Sequence, residues 1–314
     1  MLTSDQNRKI NEIVEEFKEA ADFYRMEYSE DLMGMFRDFG CMLLLKCKVD
    51  TEGKADLERL LEGRHKLKGT VKRQLMTVSE ELAQLWAPGE QDGSGDTGEY
   101  EGSQNVREMF QTALEEIFHF CLYSKGGKNR YLLPEETAKP LLRLITLPEG
   151  MMAGNEGLVV LDTQCGAGSA LMAASRYLKN LRLMGYEKDE EMWAAAVIMS
   201  QLSGLEMELH LEDGARADLY ESCDLVISNP VYGTDTIKDE ELIDQLPGEL
   251  KTVRGRYHME LIRSMQALNF DGKAMLIVPN SFLFANRTES MKVRKWLLQS
   301  YSLEAIISLP EDTF

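Results

Sequence analysis

The feature that most constrains the fold is an alternation of short apolar runs with helical patterns in the second half of the chain. The apolar runs, which are typical of strands buried in a parallel sheet, lie at 158–162, 181–186, 207–211, 225–227, 274–278 and 303–309. Helical spacing of apolar residues predicts helices between them, near 170–178, 191–202, 258–268 and 291–299. Strands that alternate with helices require a parallel sheet covered by helices, so the sequence predicts an α/β fold.

The first expected strand ends in a pattern suited to a nucleotide-like ligand. Asp162 is followed by Gly166 and Gly168 in a Gly-x-Gly turn, and a helical pattern begins directly after it. Glycines let the backbone approach a ligand closely, and a helix N-terminus favours an anionic group. The next strand ends in Glu187, a carboxylate placed to accept hydrogen bonds from ribose hydroxyls. A dinucleotide is the rival ligand, but Leu171 stands where the third small residue of that fingerprint belongs.

The fourth expected strand stops abruptly at Asn229-Pro230. Pro230 fixes its own φ, lacks an N–H and pushes Asn229 into an extended conformation. The chain therefore leaves the strand with an amide side chain and an unpaired carbonyl, and the ring of Tyr232 follows. In open α/β sheets, ligands bind at this carboxyl edge. An ordinary strand-to-loop turn is the alternative, since Asn-Pro is common in turns.

The order and spacing of these motifs resemble the N6-adenine DNA methylases. The matching segments are Asp-x-x-Cys-Gly-x-Gly, Gly-Tyr-Glu, Glu-Asp-Gly, Asp-Leu-Val-Ile-Ser-Asn-Pro-x-Tyr and Ala-Met-Leu-Ile-Val-Pro-Asn-Ser-Phe-Leu-Phe. Over residues 127–314 the chain is most similar to the modification subunits of type I restriction systems. The resemblance implies a Rossmann-like, class I S-adenosylmethionine-dependent methyltransferase fold, preceded by a helical N-terminal domain.

The resemblance also implies which residues bind the cofactor, S-adenosylmethionine. They are Asp162, Cys165, Gly166, Gly168, Glu187, Asp213 and Asn229. Within this set, Glu187 would hold the ribose, Asp213 would lie near the adenine ring, and Asp162 would lie beside the methionyl part.

The catalytic residues implied by the resemblance are Asn229, Pro230 and Tyr232. The Asn229 side chain and the Pro230 carbonyl would accept hydrogen bonds from the amino group being methylated. Two fixed acceptors localise the lone pair of an otherwise poor nucleophile toward the methyl donor. Tyr232 would stack on a target base flipped out of its duplex. The implied enzyme is an adenine-specific DNA methyltransferase that needs no metal.

Three residues depart from the family pattern. Val231 and Thr163 stand where relatives usually carry proline, and Leu133 stands where they usually carry threonine. Two other functions therefore stay open. The same Asn-Pro-x-Tyr chemistry also serves glutamine side chains and amino groups of RNA bases. A degenerate chain would instead bind the cofactor as a non-catalytic scaffold.

Charge limits the ways in which the chain could bind DNA. Its 314 residues carry a formal net charge of −18, whereas proteins that hold nucleic acid alone usually have a basic balance. We therefore expect DNA binding to need a specificity subunit or another partner chain. Basic residues that flank the expected cleft, and that are either phosphate contacts or solvated loop charges, are Lys125, Lys128, Arg130, Arg254 and Arg256.

Cysteine usage and hydropathy indicate a cytoplasmic protein. The 5 cysteines include no Cys-x-x-Cys pair, which argues against a zinc site and against a disulfide framework. No apolar run approaches the ~20 residues that span a bilayer.

Three segments are expected along the chain. Residues 1–87 show helical spacing of apolar residues and predict a helical domain. Residues 88–104 contain no lysine or arginine and little to bury, which predicts a flexible acidic linker. Residues 105–314 would form the methyltransferase domain. Because the sequence ends at Phe314, shortly after the sixth expected strand, we expect it to lack the family's last strand and a target-recognition domain.

Overall fold

The chain divides into two compact units. The structure is a computed structural model that describes residues 2–28, 31–49, 55–62, 67, 69–86, 97–124, 133, 135–145, 157–219, 222–230 and 236–309. One unit comprises Met1–Lys128 with Val197–Gly204, and the other comprises Asn129–Ala196 with Leu205–Phe314. Among the helices of the described ranges, none is long and apolar enough to cross a membrane.

The first unit is a group of helices packed around an aromatic core. Its helices are α1 (Ser4–Glu27), α2 (Met33–Lys46), α3 (Ala55–Glu62), α4 (Gly69–Leu85) and α5 (Thr97–Leu122). Helix α1 starts at a capping box, in which the Gln6 N–H donates to Thr3 Oγ1 at 3.3 Å and the Thr3 N–H donates to Gln6 Oε1 at 2.7 Å. In the core, the rings of Phe17 and Phe39 meet with their centroids 5.0 Å apart. The helical N-terminal region expected from the sequence is therefore present.

Helix α5 belongs to the first unit, although the sequence placed most of it in the methyltransferase domain. It begins at Thr97, so residues 97–104 of the expected linker are helical, while residues 87–96 lie outside the described residues. Its apolar face belongs to the first unit, where Phe118 packs on Phe36 of α2 with ring centroids 5.1 Å apart. The observed division after Lys128 thus differs from the expected one at residue 105, because the apolar face of α5 is buried among the N-terminal helices.

The second unit is built on a five-stranded parallel sheet with the order β3-β2-β1-β4-β5. The strands are β1 (Leu158–Asp162), β2 (Leu181–Glu187), β3 (Met207–Leu211), β4 (Cys223–Ser228) and β5 (Leu268–Leu276). The helices are α6 (Glu135–Leu144), α7 (Ser169–Tyr177), α8 (Glu190–Ser203, whose residues from Val197 count with the first unit), α9 (Glu240–Asp244), α10 (Arg256–Gln266), α11 (Asn280–Phe284) and α12 (Thr288–Ser300). Strands β1 and β4 are buried along almost their whole length, as parallel strands covered by helices must be. The predicted α/β alternation is confirmed.

One expected strand is wrong. Residues 303–309 have the apolar sequence of a strand, but the described part of the chain contains no strand after β5. Leu303, Ile306 and Ile307 are 59%, 63% and 47% exposed. On the β4 side the sheet ends at β5, which begins earlier than expected and pairs with β4. An apolar run becomes a strand only when it pairs with a sheet edge, and the run itself does not specify that pairing.

Candidate functional site

The residues singled out in the sequence follow four neighbouring strands at one edge of the sheet. Asp162 ends β1, Glu187 ends β2, Asp213 follows β3 and Asn229 follows β4. Because all the strands run parallel, their carboxyl ends meet at the same edge. Strand β1 lies between β2 and β4, so its turn has Glu187 and Asp213 on one side and Asn229 on the other. This is a topological switch point, where open α/β sheets bind ligands.

The turn after β1 needs glycine at two positions. Gly166 and Gly168 have φ values of 55° and 79°, in the left-handed region that favours glycine. At Gly166 the need is conformational and not steric, since an added Cβ would meet only the Met192 methyl, at 3.5 Å. The Cys165 N–H donates to the Tyr186 carbonyl at 2.9 Å and ties the turn to β2. The turn after β1 is therefore fixed against β2, and it leaves space for a ligand beside the backbone of Gly166.

The Cys165 side chain packs into the sheet. Its Sγ lies against Gly185 of β2, where an added Cβ would come within 2.8 Å of the sulfur. Burial raises the pKa of the Cys165 thiol well above its ordinary value. All five cysteines of the chain are free and buried. Because the Cys165 thiol is neutral and lies in the core, Cys165 shapes the turn through its backbone and not through its side chain.

Glu187 is held by backbone donors. Its Oε2 accepts from the Gly166 N–H at 2.9 Å, and its Oε1 accepts from the Asp189 N–H at 2.7 Å. Burial raises the pKa of this carboxyl, although both hydrogen bonds oppose the change. Each carboxylate oxygen has a second lone pair, so Glu187 can still accept from hydroxyl groups of a ligand.

Asp162 is the most buried of the three acidic side chains. It is 2% exposed, and its Oδ1 accepts from the Gln164 N–H at 3.0 Å. Burial raises the pKa of Asp162 to about 7; the Gln164 hydrogen bond lowers it and the nearby Glu187 charge raises it further. A carboxyl with such a pKa changes its charge near neutral pH, and a cation beside it would favour the ionised form.

Asp213 is already engaged by residues of its own unit. Its Oδ2 accepts from Arg256 Nη1 at 3.0 Å, and its Oδ1 accepts from the Ala215 N–H at 3.2 Å. Arg216 lies 3.8 Å from the same carboxylate. Both oxygens of Asp213 are therefore held by donors, which fixes the orientation of the group.

Gln164 and Ser264 link the turn after β1 to the rest of the site, and neither was found from the sequence. Gln164 Nε2 donates to Thr163 Oγ1 at 2.8 Å, and that hydroxyl lies 2.6 Å from Ser264 Oγ on α10. Ser264 donates to the Glu260 carbonyl at 2.8 Å, so the Thr163 hydroxyl donates to Ser264. Gln164 Oε1 also accepts from Ser228 at 3.4 Å, at the end of β4. Thr163 thus holds the turn by hydrogen bonds.

The sequence of α10 carries a signal for these contacts, because Glu260 and Ser264 share a helical face with the apolar Leu261. The helix buries polar residues at helical spacing, namely Glu260, Arg263 and Ser264, at 3%, 5% and 0% exposure. Buried polar groups need partners, so such a stripe predicts contacts to neighbouring polar loops. Arg263 provides another example, since its guanidinium donates to the Ala215 carbonyl at 3.0 Å and to the Ala217 carbonyl at 2.8 Å.

The predicted catalytic residues are placed only in part. Asn229 is half-buried and Pro230 is buried, directly after β4. The end of that strand is held by the Ile277 N–H, which donates to the Ser228 carbonyl at 2.9 Å. Tyr232 and Val231 lie outside the described residues. The structure thus positions Asn229 and Pro230 beside the turn after β1.

An open cleft of about 390 Å³ lies next to Asp213, lined by Arg216, Thr236, Ile237, Lys238, Asp239 and Arg256. Its lining touches the predicted site only through Arg216 and Arg256, which contact Asp213. Two of the basic residues expected to flank the cleft have partners within the chain. Arg256 pairs with Asp213 and Glu260, and Arg254 donates to the carbonyls of Lys251 and Val253. The other three basic residues, Lys125, Lys128 and Arg130, lie outside the described residues.

The acceptors of this edge match the donors of S-adenosylmethionine. The carboxyl oxygens of Asp162, Glu187 and Asp213 can accept hydrogen bonds. The cofactor presents an ammonium group, ribose hydroxyls and an exocyclic amino group, all of which donate. Within the described ranges, no group of three or more His, Cys, Asp or Glu side chains could hold a metal ion. The acceptors at the three strand ends are what fits this organic cofactor.

Comparisons with known proteins point to one family. A family model described as N-6 DNA Methylase matches residues 107–314. The type I restriction enzyme MjaVII methylase subunit of Methanocaldococcus jannaschii is 24% identical over 284 residues, which are 82% of this chain and 44% of that protein. The type II restriction enzyme and methyltransferase RM.BcgI of Heyndrickxia coagulans is 27% identical over 179 residues, which are 51% of this chain and 26% of that protein. The chain thus spans less than half the length of either curated relative.

Two solved structures share the fold. A protein from Listeria monocytogenes, described as a class I S-adenosylmethionine-dependent methyltransferase, matches with a TM-score of 0.66 and 18% identity, over 98% of this chain and 84% of that chain. The type I restriction-modification methyltransferase subunit from Streptococcus thermophilus matches with a TM-score of 0.55 and 16% identity, over 92% of this chain and 79% of that chain. The class I fold with a helical N-terminal region, expected from the sequence, is confirmed.

Proposed function

Because this chain belongs to the N-6 DNA methylase family, we propose that it transfers a methyl group from S-adenosylmethionine to the N6 amino group of adenine in DNA. The family and the fold make S-adenosylmethionine the cofactor. The observation that carries the proposed reaction is the position of Asn229 and Pro230. They leave β4 directly beside the glycine turn of β1, on the opposite side of that turn from Glu187 and Asp213.

The geometry supports a reaction driven by positioning. When bound, the cofactor supplies an electrophilic methyl group on its sulfonium. The side-chain oxygen of Asn229 and the carbonyl of Pro230 would accept the two hydrogens of the target amino group, which turns its lone pair toward the methyl. Pro230 restricts the backbone of Asn229 and so pre-organises both acceptors. Tyr232 would provide the stacking face for the flipped base.

Three acidic side chains would hold the cofactor along the neighbouring strand ends. Asp162 would face the ammonium of the methionyl part, Glu187 would accept from the ribose hydroxyls, and Asp213 would lie at the adenine ring. The cradle at Gly166 and Gly168 would let the backbone approach the bound molecule closely.

A partner chain would provide DNA specificity. The net charge of −18 opposes tight binding of DNA by this chain alone. One curated relative is named as the methylase subunit of a type I restriction enzyme, an enzyme made of several chains. Five free cysteines are in keeping with a cytoplasmic location.

The first test separates cofactor binding from chemistry. Calorimetry should show binding of S-adenosylmethionine, and Glu187→Ala should weaken it about 10- to 100-fold, the cost of unpaired ribose hydroxyls. Glu187→Gln, which keeps one carbonyl oxygen as an acceptor, should weaken it less. Binding of NAD without S-adenosylmethionine would refute the cofactor assignment.

The second test follows the methyl group. Protein purified with its co-expressed partner chains is given isotope-labelled S-adenosylmethionine and unmethylated genomic DNA, and nucleosides are separated by mass spectrometry. We expect N6-methyladenine, and we expect Asn229→Ala to abolish most of the rate while cofactor affinity is retained. Label found in glutamine side chains or in RNA would show that one of these, and not DNA, is the substrate. Cofactor binding with no methyl transfer would support the non-catalytic scaffold role.

A further inference from the structure

We propose that Arg256 is a positioning residue for the cofactor, which fixes the Asp213 carboxylate so that the site prefers an adenine to a 6-oxopurine. The inference rests on the proposed cofactor site and deepens it. Arg256 is the first residue of α10, and its Nη1 donates to Asp213 Oδ2 and to Glu260 Oε1, at 3.0 Å each. The side chains of Arg256 and Asp213 are 22% and 16% exposed, and that of Glu260 is 3% exposed. Hydrogen bonds to charged groups in such partial burial are stronger than at a free surface.

The backbone just before Arg256 is held from two sides. Glu289 of α12 accepts from the Arg254 N–H at 2.9 Å and from the Gly255 N–H at 3.1 Å. On the other side, Gly255 forms an isolated β-bridge with Thr236. An alanine at Gly255 would place its Cβ 2.9 Å from the Glu289 carboxylate, so the approach is tight. Arg256 therefore projects from a fixed point, and its guanidinium lines the cleft next to Asp213.

This arrangement fixes the acceptor character of Asp213. Arg256 Nη1 donates to Oδ2 at 3.0 Å, while the Ala215 N–H donates to Oδ1 at 3.2 Å, so both oxygens act as acceptors. Glu260 below it is a second, buried carboxylate on the same guanidinium, which keeps Arg256 from turning away. An ionised carboxylate held in this way can accept a hydrogen bond but cannot donate one. It would accept from the exocyclic amino group of adenine and would repel the carbonyl oxygen of hypoxanthine.

The rival role for Arg256 is a contact with DNA phosphate. A phosphate at this position would have to compete with two carboxylates already bound to the same nitrogen. The cleft beside it contains Lys238, but it also contains Asp239, which pairs with Arg216. The lining carries three cations and one carboxylate. The Asp213 and Glu260 carboxylates on Arg256 bring the local charge to balance, and this favours a role in holding Asp213.

The experiment compares two product analogues that differ at one purine position. Dissociation constants for S-adenosylhomocysteine and S-inosylhomocysteine are measured by calorimetry on the full chain. We expect the wild type to prefer the adenosyl compound by about 100-fold or more, as expected when a built hydrogen bond is lost. Arg256→Gln should lower that preference at least about tenfold, through weaker binding of the adenosyl compound, and Arg256→Lys should restore part of it.

Two further variants keep the test decisive. Arg256→Gln leaves Glu260 buried without its cation, so the double variant Arg256→Gln/Glu260→Gln removes that charge and should fold while still losing the preference. Arg182→Gln removes a guanidinium from an exposed pair with Glu208 and should leave both constants unchanged. Equal weakening of the two compounds, an unchanged ratio, or a loss confined to DNA binding would overturn the inference. A wild-type chain that shows the preference but methylates no DNA would refute the proposed reaction and leave the role of Arg256 standing.

Discussion

Asp162→Asn should make the protein more stable and should weaken its binding of the cofactor. Asp162 is 2% exposed, and burial raises the pKa of its carboxyl from 3.8 to about 7, while the Gln164 N–H opposes and the Glu187 charge adds to this change. Asparagine has the same shape and keeps an acceptor for the Gln164 N–H. It removes the ionisable group, and its NH2 takes the place of the OH of the protonated acid as a donor.

The expected gain in stability follows from that pKa. Because folding raises the pKa of Asp162, the wild type has its full stability below pH ~4, where this carboxyl is protonated in both states. Its free energy of unfolding falls as the pH rises from ~4 to ~7, because only the unfolded chain ionises readily. A pKa raised from 3.8 to about 7 corresponds to about 4 kcal/mol against the ionised form in the folded protein. The free energy of unfolding of Asp162→Asn should match the wild type near pH ~4 and exceed it by up to about 4 kcal/mol above pH ~7.

Urea unfolding over a series of pH values measures this difference. The control is Asp244→Asn, whose side chain is 77% exposed. It should change the free energy of unfolding by less than about 0.5 kcal/mol at every pH. If the effect of Asp162→Asn were the same at every pH, the reasoning from the raised pKa would be refuted.

The same variant should bind S-adenosylmethionine more weakly. An ammonium beside Asp162 favours the ionised carboxyl, so affinity in the wild type should increase as the pH rises from ~5 to ~7. In Asp162→Asn this pH dependence should become smaller, and what remains would come from Glu187, whose pKa burial also raises. Calorimetry at several pH values checks it, and an unchanged pH profile would remove Asp162 from the cofactor site.

Two further predictions concern the turns of the site. Gly214→Ala would place a Cβ 2.2 Å from the Thr163 carbonyl oxygen. We expect it to cost about 1–3 kcal/mol in chemical unfolding, as overpacking does. Gly248→Ala, whose Cβ would meet nothing within 4 Å, is the control, and equal effects of the two would contradict the close approach of these backbones. Thr163→Val keeps the buried shape but removes the hydroxyl that joins Gln164 to Ser264, so it should cost about 1–3 kcal/mol, whereas Thr163→Ser should stay near the wild type. A Thr163→Val protein as stable as the wild type would show that this hydroxyl does not hold the turn.

The strands and the chemistry at their ends could be predicted because both are local. Each buried parallel strand is an apolar run, and the residue at its carboxyl end lies at the sheet edge whatever else surrounds it. The strand predicted at 303–309 is absent for a physical reason. Composition and periodicity describe what a segment prefers, but its state depends on the surface available for packing or pairing.

The sequence by itself determined the α/β alternation, the left-handed glycine turn, and the acidic and amide groups at the strand ends. Only the tertiary structure decided what those groups contact. Ser264 meets Thr163 across 101 positions of sequence, and Arg256 meets Asp213 across 43. No local period encodes such pairs, since they depend on where α10 lies against the loops of the sheet. The pKa of Asp162 was decided in the same way, because the loss of solvation that raises it is a property of everything packed around the carboxyl.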